Sequence, residues 1–130
     1  MKAITSAWLS AVKDDLQAID EIIHNENLTN IVAFHSQQAI EKSFKALLEE
    51  REGVVPKIHS LETLLPKVSC HLSIEGADFE LFEDLDKLYT DARYPGNFGL
   101  LPNGKPTLAE AEAFRKLAVL IYTEVNNILK

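Results

Sequence analysis

The sequence predicts an all-α protein, an up-down four-helix bundle with one additional short helix. Apolar residues recur at intervals of three and four along four long stretches, which is the period of a helix with one buried face. No stretch alternates apolar and polar residues as a half-buried strand does. The breaks between stretches contain the Gly, Pro and Asn residues that end helices. The length of 130 residues fits a single helical domain, 1–130.

The first helix is predicted from Ile4 to His24. A short polar turn follows, and Thr29 or Asn30 is the predicted cap of the second helix. Because the turn is short, the two helices should be antiparallel neighbours. The apolar face of the first helix comprises Ile4, Trp8, Ala11, Val12, Leu16, Ile19 and Ile23.

The second helix is predicted to end at Glu50 or Arg51, before Gly53 and Pro56. Its segment 31–48 is apolar around most of its circumference, which indicates a buried helix. Four polar residues nevertheless fall at spacings of three, four and three, along one stripe. They are His35, Gln38, Lys42 and Lys45. Either other helices meet this stripe with carboxylates, or the stripe lines a groove for a ligand or partner.

Two further helices follow. Ser60 is predicted to cap a short third helix, in which Pro66 stops or kinks the chain. Asp78 is predicted to cap the fourth, which Pro95 ends. The apolar face of this fourth helix comprises Phe79, Phe82, Leu85, Leu88, Tyr89 and Ala92.

A loop rich in proline and glycine, 95–106, precedes the last helix. Thr107 and Glu110 have the spacing of a capping box that begins this helix. The last helix carries its apolar face on Leu108, Ala111, Phe114, Leu117, Ala118, Ile121, Val125 and Ile128.

Composition excludes several classes of protein. The net charge of −7 disfavours non-specific binding to nucleic acid or to an anionic membrane. The single cysteine, Cys70, excludes an internal disulfide. Neither a phosphate-binding glycine loop nor a metal-binding His-x-x-x-His or Cys-x-x-Cys motif is present, so the sequence predicts no cofactor and no metal. Asp14 and Asp15 interrupt the N-terminal stretch where a signal peptide is apolar, so we expect a cytoplasmic protein.

Two groups besides the stripe carry chemistry. Tyr89 and Arg93 lie four residues apart on one helical face, and Tyr94 follows. The Arg93 guanidinium suits a phosphate or carboxylate, although an ion pair with Glu41 or Asp91 is an equal alternative. His59, just before the cap of the third helix, is expected to hydrogen-bond into the end of the bundle. The alternative is contact with an anion at that helix N-terminus.

Three segments together resemble the HEPN domains: FHSQQAIEKSFKAL at 34–47, KIHSL at 57–61 and YTDARYP at 89–95. The resemblance implies a bundle like the C-terminal domain of kanamycin nucleotidyltransferase, often homodimeric. It also implies a minimal nucleotidyltransferase partner in a two-component or toxin–antitoxin system. Some members are ribonucleases that use Arg followed by His after four to six residues. Here only Arg51 precedes a nearby histidine, His59, at a longer spacing that Gly53 and Pro56 interrupt.

The favoured interpretation is therefore a non-catalytic HEPN protein that binds a nucleotide or similar anion and works with a nucleotidyltransferase. Its predicted ligand-binding residues are His35, Gln38, Glu41, Lys42, Lys45, His59, Tyr89, Arg93 and Tyr94. One alternative is a toxin ribonuclease that uses Arg93 and His35, although RNA is not the favoured ligand. Another is a purely structural interaction module. A homodimer is also predicted, with apolar residues exposed together on a patch comprising Phe98, Leu100, Leu101, Tyr122 and Leu129.

Overall fold

Five α-helices and one 3₁₀ turn make up the described part of the chain. The computed structural model describes residues 1–74, 77–93 and 104–130, except for the side chains of residues 92 and 93. The elements are α1 (Ala3–Ile22), a 3₁₀ turn (Glu26–Leu28), α2 (Thr29–Glu52), α3 (Leu61–Val68), α4 (Phe79–Arg93) and α5 (Leu108–Leu129). These described ranges contain no β-strand, and the predicted all-α class is confirmed.

The four long helices run alternately up and down. Lys2 contacts Glu50, and Asp15 contacts His35, so α1 and α2 are antiparallel. Phe34, early in α2, contacts Tyr89, late in α4. Phe44, later in α2, contacts Phe82, earlier in α4, so α4 runs antiparallel to α2. Arg51 reaches the carbonyl of Ile128, while Val32 clusters with Ala111, so α5 runs parallel to α2. The short α3 lies in the connection between α2 and α4.

α2 occupies the centre of the bundle and contacts each of the other four helices. Its apolar side chains are accordingly buried over most of the helix circumference, and Phe44, Ile40 and Leu47 are fully enclosed. A helix enclosed in this way must satisfy its polar side chains within the protein, since unpaired buried polar groups are costly. This position of α2 creates the site described below.

Several predicted caps are confirmed, whereas the end of α4 predicted at Pro95 lies outside the described residues. Gly53 adopts a left-handed conformation with φ of 72° and donates its N–H to the carbonyls of Leu48 and Glu49, which ends α2. Thr107 and Glu110 form the expected capping box. The cap predicted for α2 at Thr29 or Asn30 is wrong, because Leu28 occupies that position and makes no side-chain cap. Instead the side chain of Asn25 caps the preceding 3₁₀ turn.

Three residues predicted on apolar faces are exposed instead: Ile4, Phe79 and Leu108. Each lies in the first turn of its helix, where side chains point back towards the N-terminus and past the neighbouring helices. Conversely, Leu129 is buried and Tyr122 packs against the core, so the apolar patch predicted around them is wrong in these two residues. Phe98, Leu100 and Leu101 lie outside the described residues.

α3 continues through Pro66 to Val68, so the proline does not end the helix at Leu65. Among the helices described, none combines the length and apolar character that crossing a membrane requires.

Candidate functional site

A buried carboxylate of α1 begins the polar site. The side chain of Asp15 retains only 9% exposure and lies opposite α2. Its Oδ1 is 2.9 Å from Nδ1 of His35, and its Oδ2 accepts a hydrogen bond of 2.8 Å from Nζ of Lys42. Because an ionised carboxylate only accepts hydrogen bonds, His35 must place its proton on Nδ1. Asp15 thus holds two residues of the predicted stripe.

A second buried carboxylate belongs to α2 itself. Oε2 of Glu41 lies 2.9 Å from Nζ of Lys45 and 3.2 Å from Nδ1 of His59. Oε1 of Glu41 accepts a hydrogen bond of 3.1 Å from Gln37. Lys45 is almost as buried as Glu41 and also lies over the ring of Trp8, 5.9 Å from its centroid. Both oxygens of Glu41 therefore have hydrogen-bond partners, and its charge is paired with that of Lys45.

Two glutamines extend this arrangement. Nε2 of Gln37 also donates to the carbonyl of His59, at 2.8 Å, which fastens the segment before α3 onto α2. Oε1 of Gln37 accepts a bond of 2.7 Å from Nε2 of Gln38. We call the whole set the polar network: Asp15, His35, Gln37, Gln38, Glu41, Lys42, Lys45 and His59.

Aromatic rings connect the two histidines of the polar network. Tyr89 of α4 stacks on Phe34 with ring centroids 5.8 Å apart, and it also lies beside the ring of His59, at 5.9 Å. His35 contacts Phe34 edge to face, at 5.5 Å. These four rings form a continuous series from α2 through α4 to the segment before α3, and this series connects His35 to His59.

The polar network has an inner and an outer layer. The inner layer comprises Asp15, Gln37, Glu41 and Lys45, which are buried. In the outer layer, the side chain of His59 is 56% exposed, that of His35 28% and that of Lys42 24%. Gln38 is partly exposed as well. Within the polar network, the outer layer is therefore accessible to a ligand, while the inner layer holds the outer-layer side chains in position.

Comparison with known proteins identifies the family. A protein-family model described as the HEPN domain matches residues 5–128. The chain belongs to the HEPN family. A similar solved structure is that of TT1696 from Thermus thermophilus, which is 27% identical and has a TM-score of 0.76. The match covers 98% of this chain and 99% of TT1696. The search of curated proteins finds no match.

In this HEPN domain, the structure brings together most of the residues that the sequence singled out. His35, Gln38, Glu41, Lys42, Lys45 and His59 all belong to the polar network, and Tyr89 stacks beside it. The side chain of Arg93 and the whole of Tyr94 lie outside the described residues, as does any ion pair of Arg93 with Glu41 or Asp91.

Two members of the polar network, Asp15 and Gln37, were not among the ligand-binding residues predicted from the sequence. Asp15 lies three residues after Val12 and four before Ile19, on the apolar face of α1. A carboxylate at such a position must find a buried partner, and that signal indicates its role. Gln37 has no comparable signal, because its partner His59 is brought to it only by the turn after α2.

The N-terminus of α3 is already occupied by a side chain of the protein. Asp86 of α4 accepts hydrogen bonds from Ser60 Oγ and from the backbone N–H groups of Leu61 and Glu62, at 2.8 to 3.1 Å. A carboxylate therefore satisfies the groups that would otherwise hold an anion. This geometry excludes the anion site considered at Ser60.

A cleft of about 620 Å³ lies between α4 and the start of α5, and its described lining shares no residue with the polar network. The charged residues of that lining are Asp84, Asp86, Lys87, Asp91, Lys105 and Glu110. In the described part of this lining, four carboxylates against two ammonium groups disfavour an anionic ligand. The polar network is therefore the better candidate for anion binding.

Proposed function

We propose that this HEPN protein binds a nucleotide or a nucleotide-like anion at the outer layer of the polar network. The observation that carries the proposal is the pairing of two partly exposed histidines, His35 and His59, with buried carboxylates through Nδ1. In a neutral ring this pairing leaves Nε2 as an acceptor, and in a protonated ring as a second donor. Both histidines thus present a fixed polar edge, and that of His35 lies next to Lys42, because the two share Asp15.

The distribution of charge determines which residues would contact the ligand. Lys45 is buried and ion-paired with Glu41, so it holds Glu41 in place and does not contact the ligand. Lys42 is matched by Asp15 but remains partly exposed, so its ammonium group can also donate to a phosphate oxygen. By their motif positions, Arg93 supplies further positive charge and Tyr94 a stacking surface.

The exposed face of His59 suits a nucleobase. The His59 ring lies beside the ring of Tyr89. Bases stack on aromatic and imidazole planes in a sequence-tolerant way. A phosphate near Lys42 and a base near His59 would use both ends of the outer layer, with Gln38 donating between them. We expect ATP or GTP to bind in this orientation.

Calorimetric titration with ATP and with GTP tests the proposal. We expect saturable binding below millimolar ligand, weakened at least about tenfold (about 1.4 kcal/mol) in Lys42→Gln and in His59→Gln. Lys13→Gln and His24→Gln are the matched controls, because both residues are exposed and neither belongs to the polar network. Absence of saturable binding at millimolar nucleotide would remove the nucleotide part of the proposal.

Membership of the family supports a proposal about the protein's partner. We infer that a minimal nucleotidyltransferase is the protein partner, in a two-component or toxin–antitoxin system. The support is membership of the HEPN family over residues 5–128. Co-expression of this chain with the product of an adjacent nucleotidyltransferase gene, followed by size-exclusion chromatography, tests the partnership. Separate elution of the two proteins at micromolar concentration contradicts it.

A ribonuclease is the second candidate, and one observation favours it. Two histidines oriented by carboxylates through Nδ1 are equipped for general acid–base chemistry at Nε2, which cleavage by a ribose 2′-hydroxyl requires. In this alternative, Arg93 would stabilise the phosphate charge. RNA degradation by the purified protein, abolished in His35→Ala and Arg93→Ala, would support it. Intact RNA with the wild-type protein would end it.

A further inference from the structure

Three side chains with metal-binding atoms meet at the C-terminal end of α2. Glu52 is the last residue of α2, and Cys70 and His71 form the turn after α3. Nε2 of His71 lies 2.7 Å from Oε2 of Glu52. The Cys70 Sγ, the histidine nitrogen and a carboxylate oxygen all lie within 4.8 Å of one another. None of the three belongs to the polar network.

The three donor types match one metal ion well. Thiolate, imidazole and carboxylate are the protein ligands of Zn²⁺, at about 2.3 Å for sulfur and about 2.0 to 2.1 Å for nitrogen and oxygen. In a tetrahedral site these bond lengths place neighbouring ligand atoms about 3.3 to 3.5 Å apart. The histidine nitrogen and the carboxylate oxygen are closer than this, at 2.7 Å, and the sulfur lies within 4.8 Å of both. The side chains therefore have to shift to reach tetrahedral geometry, and the ligand atoms already lie close enough to share one ion.

The backbone around these side chains is firmly held. Gly53 fixes the end of α2 through its two hydrogen bonds to Leu48 and Glu49. On the other side, the N–H groups of His71 and Leu72 both donate to the carbonyl of Val68, at 2.9 Å. Val68 and Leu72 are buried in the core and anchor the turn from both sides. The ligand positions are thus preorganised, and only the side chains need to move.

The side chains are also accessible to a metal ion from solvent. Cys70 is exposed, the Glu52 side chain is 45% exposed and that of His71 is 25% exposed. Two of the three ligands are already adjacent, since His71 and Glu52 contact each other. Three protein ligands leave the fourth tetrahedral position for a water molecule.

We propose that Glu52, Cys70 and His71 form a Zn²⁺ site that ties the end of α2 to the turn after α3. His71 and Glu52 are separated by 19 positions in the sequence. The ion would therefore cross-link two segments of the bundle. Sequence patterns give no sign of it, because Glu52 has no metal-ligand spacing relative to Cys70.

The test uses the full chain without an affinity tag, since a histidine tag binds Zn²⁺ itself. Zn²⁺ is titrated in competition with a chromophoric chelator, and Co²⁺ is used to detect thiolate coordination by its charge-transfer absorption. We expect one Zn²⁺ per chain, a Co²⁺–thiolate band, and a higher melting temperature when Zn²⁺ is added.

Substitution of each ligand decides whether the three act together. Cys70→Ser, His71→Ala and Glu52→Gln should each weaken Zn²⁺ binding at least about tenfold (about 1.4 kcal/mol), and Cys70→Ser should abolish the Co²⁺ band. His24→Ala and Glu62→Gln are exposed controls that should bind as the wild type does. Circular dichroism verifies that each variant is folded. No binding by the wild type, or binding unaffected by His71→Ala and Glu52→Gln, would overturn the proposal.

Discussion

At the scale of single residues, Asp15 shows how one buried carboxylate organises a site. Its two oxygens contact different residues of α2, His35 and Lys42. A buried carboxylate is stable only while such partners compensate its desolvation. The same contacts that stabilise the fold therefore fix the orientation of the outer layer.

Asp15→Ala should lower the free energy of unfolding by about 1–3 kcal/mol, because it leaves His35 and Lys42 without their acceptor. The partial exposure of Lys42 keeps the loss below that of a fully buried pair. Urea denaturation measures it. Asp14→Ala is the matched control, since Asp14 is exposed and should change stability by less than about 0.5 kcal/mol. Equal losses in the two variants would show that the Asp15 contacts do not stabilise the fold.

Glu50 provides a prediction about pH. The backbone N–H of Lys2 donates to Oε1 of Glu50 at 2.7 Å, and this hydrogen bond holds the pKa of Glu50 below its ordinary value of 4.5. A carboxyl group whose pKa is lowered by folding stabilises the fold at pH values above its ordinary pKa. This contribution disappears as the pH falls through the pKa of the folded state.

The stability difference between wild type and Glu50→Gln should therefore be fully present well above pH 4.5 and shrink below it. Thermal melting across this range measures it. Glu62→Gln serves as control, because the Glu62 side chain is exposed and no hydrogen bond to it is present in the described part of the chain. A difference that grows as the pH falls would contradict the assigned role of the Lys2 hydrogen bond.

At the scale of the helices, local signals and long-range partners differ in how well the sequence predicts them. Gly53 and the pair Thr107 and Glu110 could be identified because a cap depends on residues a few positions apart. The stripe on α2 could be identified for the same reason, from its helical spacing. The acceptor of Ser60, Asp86, lies 26 residues away, so no local pattern reveals it.

Asp86→Ala should destabilise the protein by about 1–2 kcal/mol, since it removes the acceptor for two N–H groups at the start of α3. Chemical denaturation is the measurement. Asp84→Ala on the same helix is the control, because Asp84 is exposed. If both variants have the stability of the parent, Asp86 is not the cap that holds α3 in place.

At the scale of the whole molecule, the bundle class follows from helical periodicity, whereas the exposed apolar surface does not. Leu129 is buried and Tyr122 packs against the core, although both were expected at an interface. Their burial depends on how α5 rotates against α2, which spacing alone does not determine. The large apolar side chains that are exposed include Ile4, Val54, Phe79, Leu108 and Val119.

We nevertheless propose a homodimer, on the basis of the HEPN family. Light scattering coupled to chromatography over a tenfold dilution in the micromolar range should give the mass of two chains. Each chain has a mass of 14.6 kDa. A mass of one chain at every concentration would contradict the dimer.

Titration of the ¹⁵N-labelled protein with ATP, followed by NMR, tests whether the outer layer of the polar network binds a nucleotide-like anion and locates the binding site. We expect saturable shifts for backbone signals of α2 between His35 and Lys42 and for His59. Signals of Cys70 and His71, in the turn after α3, should not change when the buffer contains EDTA to remove free metal ions. Saturable shifts confined to the cleft between α4 and α5, or the absence of saturable shifts anywhere, would contradict it.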